Sequence, residues 1–151
     1  MNDLSRREML AVAAVCACGG MALGQDDEDT APPKTISIGT LADYPDAAFY
    51  DKFRDQKIFV RRLDDRLVAM SAICTHKRCV LKIKDPATLR CPCHKSFFSA
   101  EGSPTEGPAK KSLNRYALTQ NEAGEITVDT TQSFEEKEWE EPKSFIAIKK
   151  Q

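Results

Sequence analysis

Hydrophobic and polar residues alternate in short segments along most of the chain, as they do in β-strands. The segment 56–62 places Ile58 and Val60 on one face, as a β-strand does. The segment 66–73 is apolar on both faces, which indicates a strand that is covered on both sides. The same patterns predict further short strands at 35–38, 88–90, 97–98, 116–119, 125–128 and 144–148.

No segment combines the length and the periodicity of a core helix. We predict one short helix at 46–54 and a short acidic helix or surface turn at 134–141, with Trp139 as a packing anchor beside it. Asp85 and Pro86 are expected to turn the chain between two strands. The expected fold class is therefore all-β, built as a stack of small antiparallel sheets.

Charge is distributed unevenly along the chain. The net charge is -1 over 151 residues, a length with room for one domain, so we expect no nucleic-acid partner. The segment 74–96 nevertheless carries six Lys and Arg residues against one Asp, a local balance of +5. The segment 135–141 contains five Glu and one Lys. We therefore expect a basic region around residues 74–96 and an acidic C-terminal region.

Two short motifs contain the residues best suited to bind a metal. They are CTHKRC at residues 74–79 and CPCHKS at residues 91–96, and each supplies a Cys-His pair and one further Cys. Two Cys and two His could hold a tetrahedral zinc ion, or a binuclear iron-sulfur cluster in which imidazoles replace two thiolates on one iron. The two further cysteines have no place in a four-ligand zinc site. Spacing alone leaves both cofactors open.

Together the two motifs resemble those of the disulfide-containing Rieske proteins, the type found in cytochrome bc complexes and in arsenite oxidase small subunits. The resemblance implies a Rieske-type [2Fe-2S] cluster with two Cys on one iron and two His on the other. The implied ligands are Cys74, His76, Cys91 and His94. The resemblance also implies a disulfide between Cys79 and Cys93, and a stack of small antiparallel sheets with the cluster loops at one tip.

Residues near the motifs acquire expected roles from the same resemblance. Ser96 matches a position whose hydroxyl bonds a bridging sulfide, and Phe98 stands where high-potential members carry a Tyr donor. Residues 106–109 match a proline-containing loop that covers the cluster from a third side. Arg78 and Lys95 stand where the family usually has Gly. We expect a midpoint potential below that of the respiratory proteins, because Phe98 cannot donate a hydrogen bond.

The expected function is electron transfer, as an exported redox module or the small subunit of an oxidoreductase. Its expected partner is an acidic redox protein, such as a cytochrome or a larger oxidoreductase subunit. A departure from the resemblance supports this choice, because the residue after the first histidine is apolar in bc-complex members, whereas here it is Lys77. The alternatives are the Rieske subunit of a quinol:cytochrome c reductase and, from another class, a structural zinc domain. The sequence contains no independent catalytic constellation.

The N-terminal segment indicates export. Arg6 and Arg7 precede an apolar run at 9–24, and an acidic, proline-rich stretch follows at 25–34. This order is typical of a twin-arginine signal peptide, here residues 1–24, followed by a linker. A protein that acquires an iron-sulfur cluster in the cytoplasm must cross the membrane folded, which this route permits. The expected location is the periplasm or the outer face of the cytoplasmic membrane.

Cleavage after Gly24 would leave a Rieske domain at 35–151 with an acidic C-terminal extension. Two alternatives are an uncleaved anchor and a lipidated Cys18, either of which would associate the protein with the membrane. The 16-residue apolar run is about 24 Å long as a helix, shorter than the hydrocarbon core of about 30 Å. Length therefore favours cleavage.

Overall fold

The computed structural model describes residues 35–149, whose regular elements are short strands and 3-10 helices. The strands are β1 (Thr35–Thr40), β2 (Phe49–Tyr50), β3 (Ile58–Arg62), β4 (Arg66–Ser71), β5 (Lys82–Asp85), β6 (Thr88–Arg90), β7 (Phe97–Phe98), β8 (Pro104–Glu106), β9 (Arg115–Gln120), β10 (Glu125–Phe134) and β11 (Ile146–Ala147). The 3-10 helices are Leu41–Asp43, Arg54–Gln56 and Glu136–Glu138. The predicted all-β class is confirmed.

The strands form two antiparallel sheets. The larger has the order β1-β10-β9-β4-β3-β2, with β11 pairing to β4. The smaller has the order β5-β6-β7-β8. The smaller sheet contains both the predicted Asp85-Pro86 turn, between β5 and β6, and the second metal-binding motif, between β6 and β7. The sheets therefore agree with the predicted stack.

Strand β4 is covered on both faces, as its sequence predicts. Leu67 and Ala69 lie in one hydrophobic core, which we call the sheet core, whereas Val68 and Met70 lie in a second, the loop core. The sheet core comprises Ile38, Tyr44, Phe53, Ile58, Val60, Leu67, Ala69, Leu118, Ile126 and Val128. The loop core comprises Phe49, Phe59, Val68, Met70, Ala72, Cys74, Leu81, Leu89, Cys91, Phe98, Ala109 and Leu113. Because β4 leads directly into the first motif, this packed strand anchors that motif.

The helix predicted at 46–54 is wrong. Phe49 and Tyr50 instead form β2, which pairs with β3, and the only helical residue of the segment is Arg54, where a 3-10 helix starts. Phe49 packs in the loop core and Phe53 in the sheet core. Residues four apart lie on one face of a helix, so a helix could not send these two rings into different cores.

The acidic C-terminal segment packs against the larger sheet. Its short helix is the 3-10 turn Glu136–Glu138, and Trp139 behind it is buried against Arg115, whose guanidinium carbon lies 4.1 Å from the ring centroid. The predicted strand at 144–148 is shorter than expected, since only β11 pairs with β4. Trp139 is thus the packing anchor that the sequence predicts.

The predicted signal peptide (1–24) and linker (25–34) lie outside the described residues. Within residues 35–149, no helix is long and apolar enough to cross a membrane.

Candidate metal centre

The two motifs fold into loops with the same backbone hydrogen bonds. In the first, the Cys74 N–H donates to the Cys79 carbonyl (2.8 Å), and in the second the Cys91 N–H donates to the Ser96 carbonyl (2.7 Å). Each bond links the first residue of a motif to its sixth and so closes the loop. The loops therefore present their two leading cysteines in equivalent positions.

The fifth residue of each loop makes the turn. Arg78 and Lys95 have φ angles of 58° and 54°, in the left-handed region, and their N–H groups donate to the carbonyls of Cys74 (3.0 Å) and Cys91 (3.2 Å). A side chain in this conformation costs about 1–2 kcal/mol relative to Gly. This explains physically why Gly suits these two positions, and this chain tolerates the strain.

The predicted ligand set contains two buried free thiols and two imidazoles. Cys74 and Cys91 are each 1% exposed and unpaired. The rings of His76 and His94 lie edge to face with centroids 4.9 Å apart, His76 half-buried and His94 exposed. The His76 Nδ1 is buried without a hydrogen-bond partner among the described residues. A buried ring nitrogen without a partner is unfavourable unless a ligand occupies it.

Burial shapes the electrostatics of the first cysteine. It raises the pKa of the Cys74 thiol, while N–H groups of His76 and Lys77 that bond its sulfur act in the opposite direction. The neighbouring Cys91 thiol adds to the rise. Two adjacent buried thiols therefore resist ionisation unless positive charge, such as that of bound metal, compensates them.

The predicted pairing of Cys79 with Cys93 is present as a disulfide that links the two loops. The sulfur atoms of this disulfide and of Cys91 all lie within 4.8 Å of one another. The disulfide therefore packs directly against one proposed ligand and fixes the separation of the two loops.

The proline-containing segment 106–109 packs on the second loop. A Cβ placed on Gly107 would lie 2.6 Å from the Lys95 carbonyl oxygen and from the Ser96 Cα, so only Gly permits this approach. The Ala109 N–H donates to the Ser96 Oγ (3.1 Å), and both residues are buried. Ser96 thus accepts one hydrogen bond and retains its own proton for a second partner.

The family model for the Rieske [2Fe-2S] domain matches residues 35–117. The chain belongs to this family. It is 32% identical over 96 residues to the cytochrome b6-f complex iron-sulfur subunit of Chlorobaculum tepidum, covering 62% of this chain and 52% of that protein. It is 35% identical over 107 residues to the sulredoxin of Sulfurisphaera tokodaii, covering 64% of this chain and 95% of that protein. The chain thus spans about half the length of the first relative and most of the second.

One solved structure is also similar to this Rieske chain. The plasma membrane Rieske protein PetC3 from Synechocystis PCC 6803 matches with a TM-score of 0.44 and 23% identity, covering 63% of this chain and 99% of that chain.

Membership of the Rieske family decides between the two cofactors that the motifs left open. The cofactor is a Rieske-type [2Fe-2S] cluster. The donor set fits it, with two free thiols and two imidazoles, one of which has a buried nitrogen with no hydrogen-bond partner in the described part of the chain. The zinc hypothesis is accordingly dropped. Such a cluster is a one-electron carrier.

Sequence reasoning expected 106–109 to cover the cluster, but it missed two features that position this Rieske site. The Thr75 hydroxyl donates to the Lys111 carbonyl (2.7 Å), which ties the first loop to the segment after β8. Gly107 permits the close approach of that same segment to the second loop. The Gly-Pro pair at 107–108 marks a turn and was a usable signal for the second feature. No local signal indicates the first, because 36 residues separate its partners.

Proposed function

We propose that Cys74 and Cys91 bind one iron of the cluster and that His76 and His94 bind the other. The observation that carries this assignment is the pair of matching loops, whose donors include a buried His76 Nδ1 with no partner among the described residues. His76 and His94 are also the only two histidines of the sequence. No other His pair can complete the set.

The bound cluster would supply a one-electron carrier whose potential is raised by the exchange of two thiolates for imidazoles. The chain contributes hydrogen bonds that favour the reduced state. The N–H groups of His76 and Lys77 bond the Cys74 sulfur, and the Ser96 hydroxyl has a proton to donate toward a sulfide. The buried Phe98 ring packs in the loop core with both cysteines and has no donor to add.

Electrons would enter and leave at the histidine side of the site. His94 is exposed and His76 half-buried, whereas both cysteines are almost inaccessible. A partner that approaches the exposed imidazole shortens the path to the cluster without opening the loop core.

A basic rim around this exit would guide the partner. The rim consists of Lys77, Arg78 and Lys95, all exposed and all within the two loops. Charge of one sign beside a docking site raises the encounter rate with an oppositely charged protein more than it raises affinity. We therefore propose an acidic redox protein as the partner, either a cytochrome or a larger oxidoreductase subunit.

The second candidate is the Rieske subunit of a quinol:cytochrome c reductase. It is supported by relatives named as complex subunits, among them the cytochrome bc1 complex Rieske iron-sulfur subunit of Corynebacterium efficiens, 40% identical over 65 residues. That match covers 16% of the relative's length. The charged rim argues against this candidate, because an apolar quinol pocket would have to desolvate Lys77 and its neighbours.

We further propose that residues 1–24 direct export by the twin-arginine route and that 25–34 form a linker. The observation in support is the Cys79–Cys93 disulfide, which persists in oxidising compartments such as the periplasm. An uncleaved segment 1–24 would instead hold the domain at the outer face of the membrane.

Metal analysis tests the ligand assignment. The purified protein is expected to contain two iron and two sulfide per chain, and replacing His76 or His94 by Ala should abolish the cluster or change its electron paramagnetic resonance spectrum. Replacing Lys77 by Ala is the matched loop control and should leave iron content unchanged. Full iron content and an unchanged spectrum in both histidine variants would refute the assignment.

Stopped-flow kinetics test the docking surface. Electron transfer to an acidic cytochrome should slow as the screening length falls from about 30 Å at 0.01 M salt to about 10 Å at 0.1 M. Lys77→Glu should slow it further at low salt, whereas Lys143→Glu, with the same charge change on the C-terminal segment, should not. A rate independent of salt, or quinol oxidation within a cytochrome b complex, would favour the reductase candidate.

A further inference from the structure

A polar cavity of about 430 Å³ lies beside the first cluster loop. Its lining carries two cationic side chains, one amide and five hydroxyl-bearing side chains. The cations are Arg78 and Lys111, the amide is Asn114, and the hydroxyl groups include those of Thr75, Tyr116 and Ser133. Within the described part of the chain, no carboxylate lines it. We propose that this cavity binds a small inorganic oxyanion of the phosphate or sulfate type.

The absence of carboxylates distinguishes this cavity from two others of similar size. One, of about 580 Å³ between Arg61 and Trp139, is also lined by four carboxylates, which exceed its three arginines. The other, of about 510 Å³ near Lys110, is lined by Glu135 and Glu136. In those cavities anionic side chains offset the cations, whereas the lining of the cavity beside the first loop contains no carboxylate among the described residues. A smaller cavity of about 320 Å³, lined by Lys82, Lys84 and Arg90, also lacks carboxylates, but the described residues of its lining offer no hydroxyl or amide donor.

Hydrogen bonds fix the backbone of the cavity walls. The Thr75 hydroxyl bonds the Lys111 carbonyl (2.7 Å), so the two walls that carry the cations are joined. The Ser71 N–H donates to the Asn114 carbonyl (2.9 Å), which holds the segment before β9 against the end of β4. The cavity is therefore part of the folded structure rather than an opening between free loops.

Arg78 is held in this wall at a conformational cost. Its φ of 58° is unfavourable for a side chain, and its N–H is bonded to the Cys74 carbonyl (3.0 Å). Strained backbone of this kind persists only where the surrounding structure maintains it, and it is concentrated at functional sites. At this position Arg78, instead of Gly, lines the cavity.

The lining suits the chemistry of an oxyanion. A guanidinium presents a planar set of N–H donors that matches two oxygens of phosphate or sulfate, and an ammonium adds a point charge. Hydroxyl groups of Tyr116 and Ser133 and the Asn114 amide can donate to the remaining oxygens. Arg78 and Lys111 are both exposed, so screening by salt weakens the site, and binding must be measured at constant ionic strength.

Binding should be coupled to the redox state, and this part rests on the proposed ligation by Cys74. Cys74 itself lines the cavity, so a bound anion lies beside the cluster and opposes the added electron. The oxidised protein therefore binds the anion more tightly, and by linkage the anion lowers the midpoint potential. A tenfold difference in affinity corresponds to a shift of about 59 mV for one electron.

Calorimetric titration of sodium phosphate into the oxidised holoprotein tests the site, with sodium chloride adjusted to keep ionic strength constant. We expect saturable binding of one phosphate per chain and at least tenfold weaker binding to Arg78→Gln. Lys111→Gln should also weaken binding. Because Lys111 lies outside the first loop, this result would show that the effect of Arg78→Gln is not caused by a changed loop conformation. Lys143→Gln is the matched control: it removes the same charge from the exposed C-terminal segment, outside the cavity, and should bind like the parent.

A potentiometric titration at increasing phosphate tests the coupling. The midpoint potential of the parent should fall and that of Arg78→Gln should stay constant. Absence of saturable binding, or equal binding by Arg78→Gln and Lys143→Gln, would overturn the site. Phosphate binding without a change in potential would overturn the coupling while retaining the site. A protein without iron would contradict the proposed function instead, and phosphate binding would still be measurable.

Discussion

Replacing Ser96 by Ala tests the link between the loop structure and the redox potential. Ser96 is fully buried, and its Oγ accepts the N–H of Ala109, which is 4% exposed. Removing this oxygen leaves a buried N–H without an acceptor, which costs about 1–3 kcal/mol of stability. It also removes the hydroxyl proton that we expect to be donated to a sulfide.

The two losses are measured separately. If the hydroxyl stabilises the reduced state by about 1.4 kcal/mol, the midpoint potential of Ser96→Ala falls by about 59 mV. Potentiometric titration followed by electron paramagnetic resonance gives the potential, and urea unfolding gives the free energy. Both values should fall in this variant, because one atom serves both hydrogen bonds.

Ser144→Ala is the matched control. Ser144 is also fully buried, but its hydroxyl donates to the Trp139 carbonyl in the C-terminal segment. The control should lose stability and keep the parental potential. A Ser96→Ala protein with an unchanged potential would refute the proposed hydrogen bond to the sulfide, and an equal shift in Ser144→Ala would show that the effect is not specific to the loop.

Three further predictions concern the Cys79–Cys93 disulfide, the Phe98 ring in the loop core and the ionisation of Tyr44. Replacing both Cys79 and Cys93 by Ala should lower the free energy of unfolding by about 3 kcal/mol, because the disulfide joins residues 14 positions apart. Urea unfolding measures this loss, and an unchanged urea midpoint would show that the disulfide does not stabilise the fold. Phe98→Tyr should raise the midpoint potential by tens of millivolts if the added hydroxyl reaches a cysteine sulfur; an unchanged potential would place it elsewhere. Burial raises the pKa of Tyr44 to about 12, so the unfolded chain releases this proton near pH 10 while the folded protein keeps it, and stability falls between pH 10 and 12. Tyr44→Phe should show a smaller fall in urea midpoints across that range, and an equal fall would assign the effect to other groups.

The features that the sequence determined are those carried by short-range patterns. Alternation within 56–62 predicted β3, and apolar residues on both faces of 66–73 predicted that β4 is covered on both sides. The sequence did not predict that β3 is also buried on both faces, with Phe59 in the loop core and Ile58 and Val60 in the sheet core. The six-residue spacing of CTHKRC and CPCHKS corresponds to two loops of the same kind, because each loop closes through a hydrogen bond between residues five apart. The family resemblance of these motifs supplied the cofactor, which the residues alone had left open.

Tertiary structure decided the features that depend on distant neighbours. Phe49 and Phe53 form no helix because their rings pack in two different cores. Both cores are assembled from strands that are distant in sequence. The Thr75–Lys111 bond, 36 residues apart in sequence, brings a second cation to the cavity beside Arg78. The physical reason is the distance along the sequence over which each interaction acts. The residues within a segment determine its backbone conformation, whereas the segments that the folded chain places side by side determine which side chains are buried and which charges lie close together.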